Sequence, residues 1–181
     1  MDRAAFIHVL QAAAAVVDEE LVVVGSQAVL AHIEQPPEEM VRSMEVDLYP
    51  RRDPDRAIEI DRNLGDGSRF HETHGYYAHG VGPETITAPV GWEGRLVRFE
   101  VPPIRARDGT AVAYCLSLDD LMLAKLAAGR PHDLEFVEAA IRVTLVDVDG
   151  LRRGVDLMPG RARGDVHARL EGIAAKLTRC E

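Results

Sequence analysis

At 181 residues and 46% hydrophobic, the chain is long enough for one domain with a substantial core and leaves room for a second small lobe rather than for two independent domains. Aromatics are only 5%, so the core must rest on Ala, Val, Leu and Ile, which suits helices packed on a sheet better than a β-sandwich. The net charge of -9, its acidic excess lying upstream of Arg130, disfavours a broad non-specific nucleic-acid binder while leaving room for a local basic groove.

No apolar run approaches the roughly 18 residues a membrane span needs, and the start at Asp2 and Arg3 shows no charged-then-apolar leader pattern. Cys115 and Cys180 form neither a CxxC motif nor a disulfide framework, which fits a reducing compartment. A cytoplasmic protein with no membrane partner is expected.

Along the chain, residues 4–17 carry apolar side chains at Phe6, Val9, Leu10, Ala13, Ala14 and Val17, a spacing that predicts an amphipathic helix. Leu21-Val22-Val23-Val24, ended by Gly25, reads as a short buried strand. Ser26 falls at or near the N-cap of a helix over 27–32, stopped by Pro36 and Pro37. A second strand over 44–49 places Met44, Val46 and Leu48 on one face and Glu45, Asp47 and Tyr49 on the other. Asp53-Pro54 opens a helix to about Leu64. Residues 65–94, rich in Gly, His and Tyr and without a clear period, read as loops with one or two short strands.

Further on, residues 95–101 alternate, with Val97, Phe99 and Val101 opposed to Leu96, Arg98 and Glu100. Residues 111–116 form another strand, in which Cys115 is a small buried hydrophobe. Ser117-Leu118-Asp119-Asp120 resembles a capping box opening a helix that Gly129 closes, and Pro131 begins the next helix, running to about Val143. A linker over 147–159 and a final helix over 166–177 complete the reading. The expected fold is α+β: a small mixed twisted sheet flanked by helices. An α/β core over 1–116 and a helical segment over 117–181 packed on it would make a single compact domain.

The informative unit is a strand, a Gly-Ser turn, a helix, and then a strand bearing two acids. The turn leaves backbone N–H groups and a hydroxyl at a helix N-terminus, where unpaired donors and the helix dipole favour a phosphate. Glycine lets the backbone approach such a ligand closely. Glu45 and Asp47, two residues apart on a strand, share a face and can converge on a divalent cation. That cation would orient an α-phosphate and offset its charge. Taken alone, Glu-Val-Asp reads first as a solvated acidic edge; the Gly-Ser corner upstream is what favours the metal reading.

These segments resemble a known family. Val22-Val23-Val24-Gly25-Ser26-Gln27-Ala28, followed by Arg42-Ser43-Met44-Glu45-Val46-Asp47-Leu48, is similar to the DNA polymerase β-type nucleotidyltransferase superfamily. The nearest resemblance is to its DUF6036 group, related to the AbiEii/MenT toxin branch. Residues 118–130, bearing Lys125, resemble that group's lysine helix, and Pro131-His132-Asp133-Leu134-Glu135-Phe136 resembles its following segment. The resemblance covers roughly residues 20–140. It implies a polymerase β-type fold and a magnesium- or manganese-dependent transfer of a nucleoside monophosphate from a triphosphate. The acceptor would be an RNA end, such as that of a tRNA, or a protein hydroxyl, and an antitoxin protein would be a partner. By position, Gly25 and Ser26 would hold the triphosphate and Glu45 and Asp47 the metal. Lys125 would meet phosphate charge, Asp133 would orient or assist, and Arg130 would support either. The sequence departs from the pattern in having Glu45 where Asp is usual and His132 where Lys often stands. Glu100 is the candidate third carboxylate, although it reads equally as a surface acid paired with Arg98 or Arg95. An incomplete acidic set would leave a nucleotide-binding or partner-binding protein with weak turnover.

Other clusters are weaker. His71-Glu72-Thr73-His74 with His79 invites zinc, but the spacing is not the i, i+4 of HExxH and the stretch lacks a helical pattern. Tyr76 and Tyr77 suit packing, or stacking on a base. Trp92 with Arg152, Arg153, Arg161 and Arg163 could touch RNA, against the simpler reading of a solvated charged tail. Lys125, apart from the resemblance, reads as an exposed helical lysine. No Gly-x-Ser-x-Gly elbow or P-loop occurs.

Overall fold

The computed structural model describes residues 1–103 and 110–179, so Cys180 lies outside the described residues. These residues form two compact units. The first comprises Met1–Pro36, Val41–Thr85 and Leu96–Leu116, and the second Pro37–Met40, Ile86–Arg95 and Ser117–Glu181. The fold class is α+β, as the sequence predicts.

In the first unit, α1 spans Arg3–Val17. The Asp2 carboxylate caps it by accepting from the Ala5 N–H, and Asp18 ends it in the left-handed conformation at φ 52°. The strands are β1 (Leu21–Val23), β2 (Glu45–Pro50), β3 (Tyr77–Gly80), β4 (Val97–Val101) and β5 (Ala111–Cys115). They make one mixed sheet in the order β3-β2-β1-β5-β4. β1 pairs antiparallel to β2 and parallel to β5, β2 pairs parallel to β3, and β4 pairs antiparallel to β5.

The registers divide the sheet into two faces. Leu21, Val23, Val46, Leu48, Ala78, Ala113, Cys115 and Phe99 share one face. α1 crosses all five strands there, its Phe6 ring 5.9 Å from that of Phe99. Phe6, Val9, Leu10 and Ala13 are fully buried, which accounts for the helical apolar stripe. Desolvation of that stripe is the main driving force for this layer. Glu45, Asp47, Tyr49, Tyr77, His79, Tyr114, Arg98 and Glu100 belong to the opposite face.

Between the strands lie α2 (Val29–His32), α3 (Ala57–Leu64) and α4 (Arg69–His74). α4 corrects the loop reading of residues 65–94. Ser68 caps it by accepting from the His71 N–H, and Gly75 ends it at φ 75°. Six residues are too few for a periodic signal, so only the caps mark it.

The second unit contains α5 (Leu118–Ala128), α6 (Pro131–Arg142), α7 (Val148–Val155) and α8 (Gly160–Thr178). Ser117 caps α5, and Gly129 ends it at φ 67°, as the sequence predicts. Arg169 of α8 reinforces that end by donating to the carbonyls of Leu126 and Ala127. α7 replaces the predicted linker. Its Asp147 cap accepts from the Gly150 N–H, but only Leu151 and Val155 are buried, too sparse a stripe to recognise. Among the described residues no helix is long and apolar enough to cross a membrane.

The loop before β4 is fastened to α5 by charge. Arg95 donates twice to Asp120, at 2.9 Å to each oxygen, and Ser117 Oγ donates to Asp120 Oδ2 at 2.8 Å. The Asp120 side chain is only 4% exposed, so removing it strands its donors. Asp120→Ala should lower unfolding stability by about 1–3 kcal/mol in urea denaturation; a change within experimental error would mean the clamp carries no net energy.

Candidate functional site

β1 ends where its geometry has to turn. The Val24 N–H donates to Asp47 O at 3.0 Å, and Gly25, in extended conformation, becomes the cap of a 3-10 turn over Ser26–Ala28. Gly25 itself thus takes the cap position, and Ser26 is the first residue of the turn. The helix predicted over 27–32 is this turn followed by the single helical turn of α2. Gln27, fully buried, donates from Nε2 to Ser43 O at 3.3 Å, and Ser43 Oγ accepts from the Glu45 N–H at 3.1 Å. The corner is thereby tied to the chain entering β2. His32 Nε2 donates to Leu116 O at 2.7 Å, and burial pushes this imidazole below its ordinary range, in its neutral form.

The corner and the acids meet at Gly25. A Cβ built there would lie 2.7 Å from Asp47 Cγ and would overlap the carboxylate, so only glycine leaves Asp47 in place. In the parallel register of β2 and β3, Glu45 faces Tyr77 and Asp47 faces His79. Tyr77 Oη donates to Glu45 Oε2 at 2.8 Å, and His79 Nδ1 lies 2.9 Å from Asp47 Oδ1. The bond to Glu45, with burial adding to it, pushes the Tyr77 hydroxyl up to about 12, so it stays a donor and orients the carboxylate. One donor atom from each of Glu45, Asp47 and His79 lies within 4.8 Å of the others. Two carboxylates and an imidazole, partly exposed on a sheet face, fit a divalent cation.

His79 is the residue whose role the sequence obscures. The sequence groups it with His71 and His74, but those lie on α4, His71 with its ring 4.7 Å from that of Tyr77, and His74 packed with His8, Phe70 and Tyr76. Among the described residues the histidines therefore form no zinc cluster of the kind considered, and the one metal-capable group includes His79 alone. The only trace in sequence is the alternation of Tyr77 and His79 about the buried Ala78.

Glu100, the candidate third carboxylate, is not brought to this group. It shares the sheet face of Glu45 and Asp47, but β4 is three strands from β2, roughly 14 Å at the usual strand spacing. Its carboxylate accepts from Arg98 and is well exposed, which is the surface-acid alternative.

The remaining candidates form a second cluster, within the helical unit. Lys125 is not an exposed helical lysine: it is 9% exposed, and its Nζ donates to Asp133 Oδ1 at 2.8 Å. Arg130 Nε donates to Asp133 Oδ2 at 2.6 Å, and the Arg130 backbone N–H donates to the same oxygen at 3.3 Å. Burial of Asp133 would raise its pKa, but the bonds from Arg130 and Lys125 outweigh it and hold the carboxyl below its usual range. Of the residues considered for RNA contact, Trp92 is buried and Arg152 is bound to Asp149 and Glu171.

Two outcomes follow. Gly25→Ala should leave the α1-covered face folded but displace Asp47, lowering divalent-cation affinity by tenfold or more in titration calorimetry; unchanged affinity would refute the contact. Asp133→Asn should cost about 3–5 kcal/mol at pH 7 by leaving buried Lys125 without its anion. Because the folded carboxyl titrates below the unfolded one, this difference should hold from pH 7 to about 5 and shrink as pH falls below about 4. Urea denaturation across that range measures it.

No curated protein and no solved structure matches the chain. A family model described as "Nucleotidyltransferase of unknown function (DUF6036)" matches residues 4–159, which include Gly25, Ser26, Glu45, Asp47, His79, Lys125 and Asp133. The chain belongs to this nucleotidyltransferase family.

Proposed function

We propose that the protein transfers a nucleoside monophosphate from a metal-held nucleoside triphosphate to a hydroxyl of an RNA end or a protein. The observation that carries this reading is the packing of Gly25 on the Asp47 carboxylate, with Glu45 and His79 beside it. A backbone corner suited to phosphate thereby adjoins a set of donors suited to a cation.

In this reading Gly25 and Ser26 present the triphosphate at the backbone corner that follows β1. Glu45 and Asp47 hold magnesium or manganese, with Tyr77 fixing one Glu45 oxygen. When bound, the cation supplies charge neutralisation at the α-phosphate and lowers the cost of deprotonating the acceptor hydroxyl. The acceptor oxygen bonds to the α-phosphorus, the bond from that phosphorus to the bridging oxygen breaks, and pyrophosphate leaves. The acceptor's proton passes to solvent. The resemblance gives Lys125 and Arg130 the developing phosphate charge. Asp133, which holds both cations in the helical unit, is then a positioning residue.

The toxin branch resembled by the sequence supplies a biological setting, with an antitoxin protein as partner. A second reading, binding with little turnover, is favoured by the position of Glu100 away from the acid pair.

One set of assays separates these. Incubation with α-labelled triphosphates, divalent metal and total RNA or protein should label an acceptor. Asp47→Asn should reduce the label by a hundredfold or more, since several kcal/mol of charge stabilisation is removed. Lys125→Ala should reduce it as well, measured on protein shown to be folded by circular dichroism, because the change also removes one partner of buried Asp133. Stabilisation by nucleotide, about 5–10 °C in Tm at a hundred times Kd, with no labelled product would support the binding reading instead. Absence of both would refute nucleotide use. Induced expression that arrests growth, relieved by Asp47→Asn, would support the toxin setting.

A further inference from the structure

The imidazole at the acid pair has a consequence for which metal is held, and it rests on the reading that Glu45 and Asp47 bind a cation. We infer that His79 is the third protein ligand of that cation, and that its nitrogen tunes the site toward manganese or a similar transition ion and away from magnesium.

Three observations converge. First, the β2–β3 register places His79 directly across from Asp47, on a strand and not on a loop, so its position is fixed by backbone pairing. Second, His79 Nδ1 stands 2.9 Å from Asp47 Oδ1. Neighbouring ligands around one cation at about 2.1 Å are separated by roughly 3 Å, so the two donors already have the spacing of a shared ion. Third, Tyr77 occupies one oxygen of Glu45, leaving that carboxylate to offer chiefly its other oxygen. The protein then supplies two oxygens and one nitrogen, not an all-oxygen shell.

Donor type decides selectivity here. Magnesium is hard, holds its waters and favours oxygen, whereas imidazole is a good ligand for first-row transition ions. Manganese shares magnesium's preference for carboxylate and phosphate oxygens but, as a first-row transition ion, gains more than magnesium does from an imidazole nitrogen. The side chain of His79 is 47% exposed, so replacing it removes a donor without opening the core.

The test is metal binding by the intact protein, using Mn2+ alone and Mg2+ alone. Wild type should bind Mn2+ at least tenfold more tightly than Mg2+ in calorimetry, and pulsed electron spin resonance of the Mn2+ complex should show nitrogen coupling from one imidazole. His79→Ala should lose that coupling and about 10- to 100-fold of Mn2+ affinity, with a much smaller change for Mg2+. His79→Asp, which makes the set all oxygen, should narrow the preference between the two ions. Circular dichroism and Tm confirm that each variant is folded. Retained nitrogen coupling in His79→Ala, or equal losses for both ions, would overturn the ligand role; the latter would leave His79 as a partner that merely positions Asp47. Asp47→Asn separates the levels. If it abolishes binding while His79→Ala leaves Mn2+ affinity unchanged, only this inference fails. If Asp47→Asn leaves Mn2+ affinity intact, the acid pair is not the metal site and the underlying reading fails as well.

Discussion

The site depends on the pairing of β2 with its two neighbours. On one side, the antiparallel register with β1 delivers the end of that strand to Asp47, so that Gly25 turns against the carboxylate. On the other, the parallel register with β3 sets Tyr77 beside Glu45 and His79 beside Asp47. A slip of one residue in either ladder would send Glu45 and Asp47 to the face covered by α1 and put Val46 and Leu48 in their place. Full burial of Val46 and Leu48 makes that slip costly, so the hydrophobic core sets the register that the polar site needs.

The two faces of β2 thus have separate tasks. The α1 face supplies the driving force, with side chains that exclude water along all five strands. The opposite face bears groups whose desolvation would be costly, and these remain partly exposed and bonded to one another. Tyr77 and His79 do more than satisfy the carboxylates. They limit how those carboxylates can turn, which pre-organises donors before any ligand arrives.

The helical unit follows a different principle. Its polar node is closed, with Asp133 almost fully withdrawn from solvent and accepting from Lys125 and Arg130. Gly129 and Pro131 make this compact by ending one helix and starting the next within a few residues. The spacing that resembles the family's lysine and aspartate motifs is therefore also the spacing of an ion pair across a tight helix–helix corner. Sequence similarity alone cannot separate those two uses of the same residues.

Much was legible beforehand because its cause is local. The apolar stripe of α1, the β-branched run before Gly25, the alternation around Glu45 and Asp47, and the Ser117 and Gly129 caps are set by periodicity and backbone preference within a few residues. α4 and α7 escaped because six or eight residues with few buried positions leave only cap signals. The neighbour of the acid pair escaped for a different reason. Glu100 and His79 each sit on a strand and face the same way as the acid pair, and nothing local says which strand lies next to β2. The sequence by itself determined the strand–turn–helix corner and the shared face of its two acids, since both follow from bonds and sterics along one short stretch. Only the tertiary structure decided that β3 is the neighbour and β4 the far edge, because strand order is settled by burial of the whole sheet and by long-range hydrogen bonding.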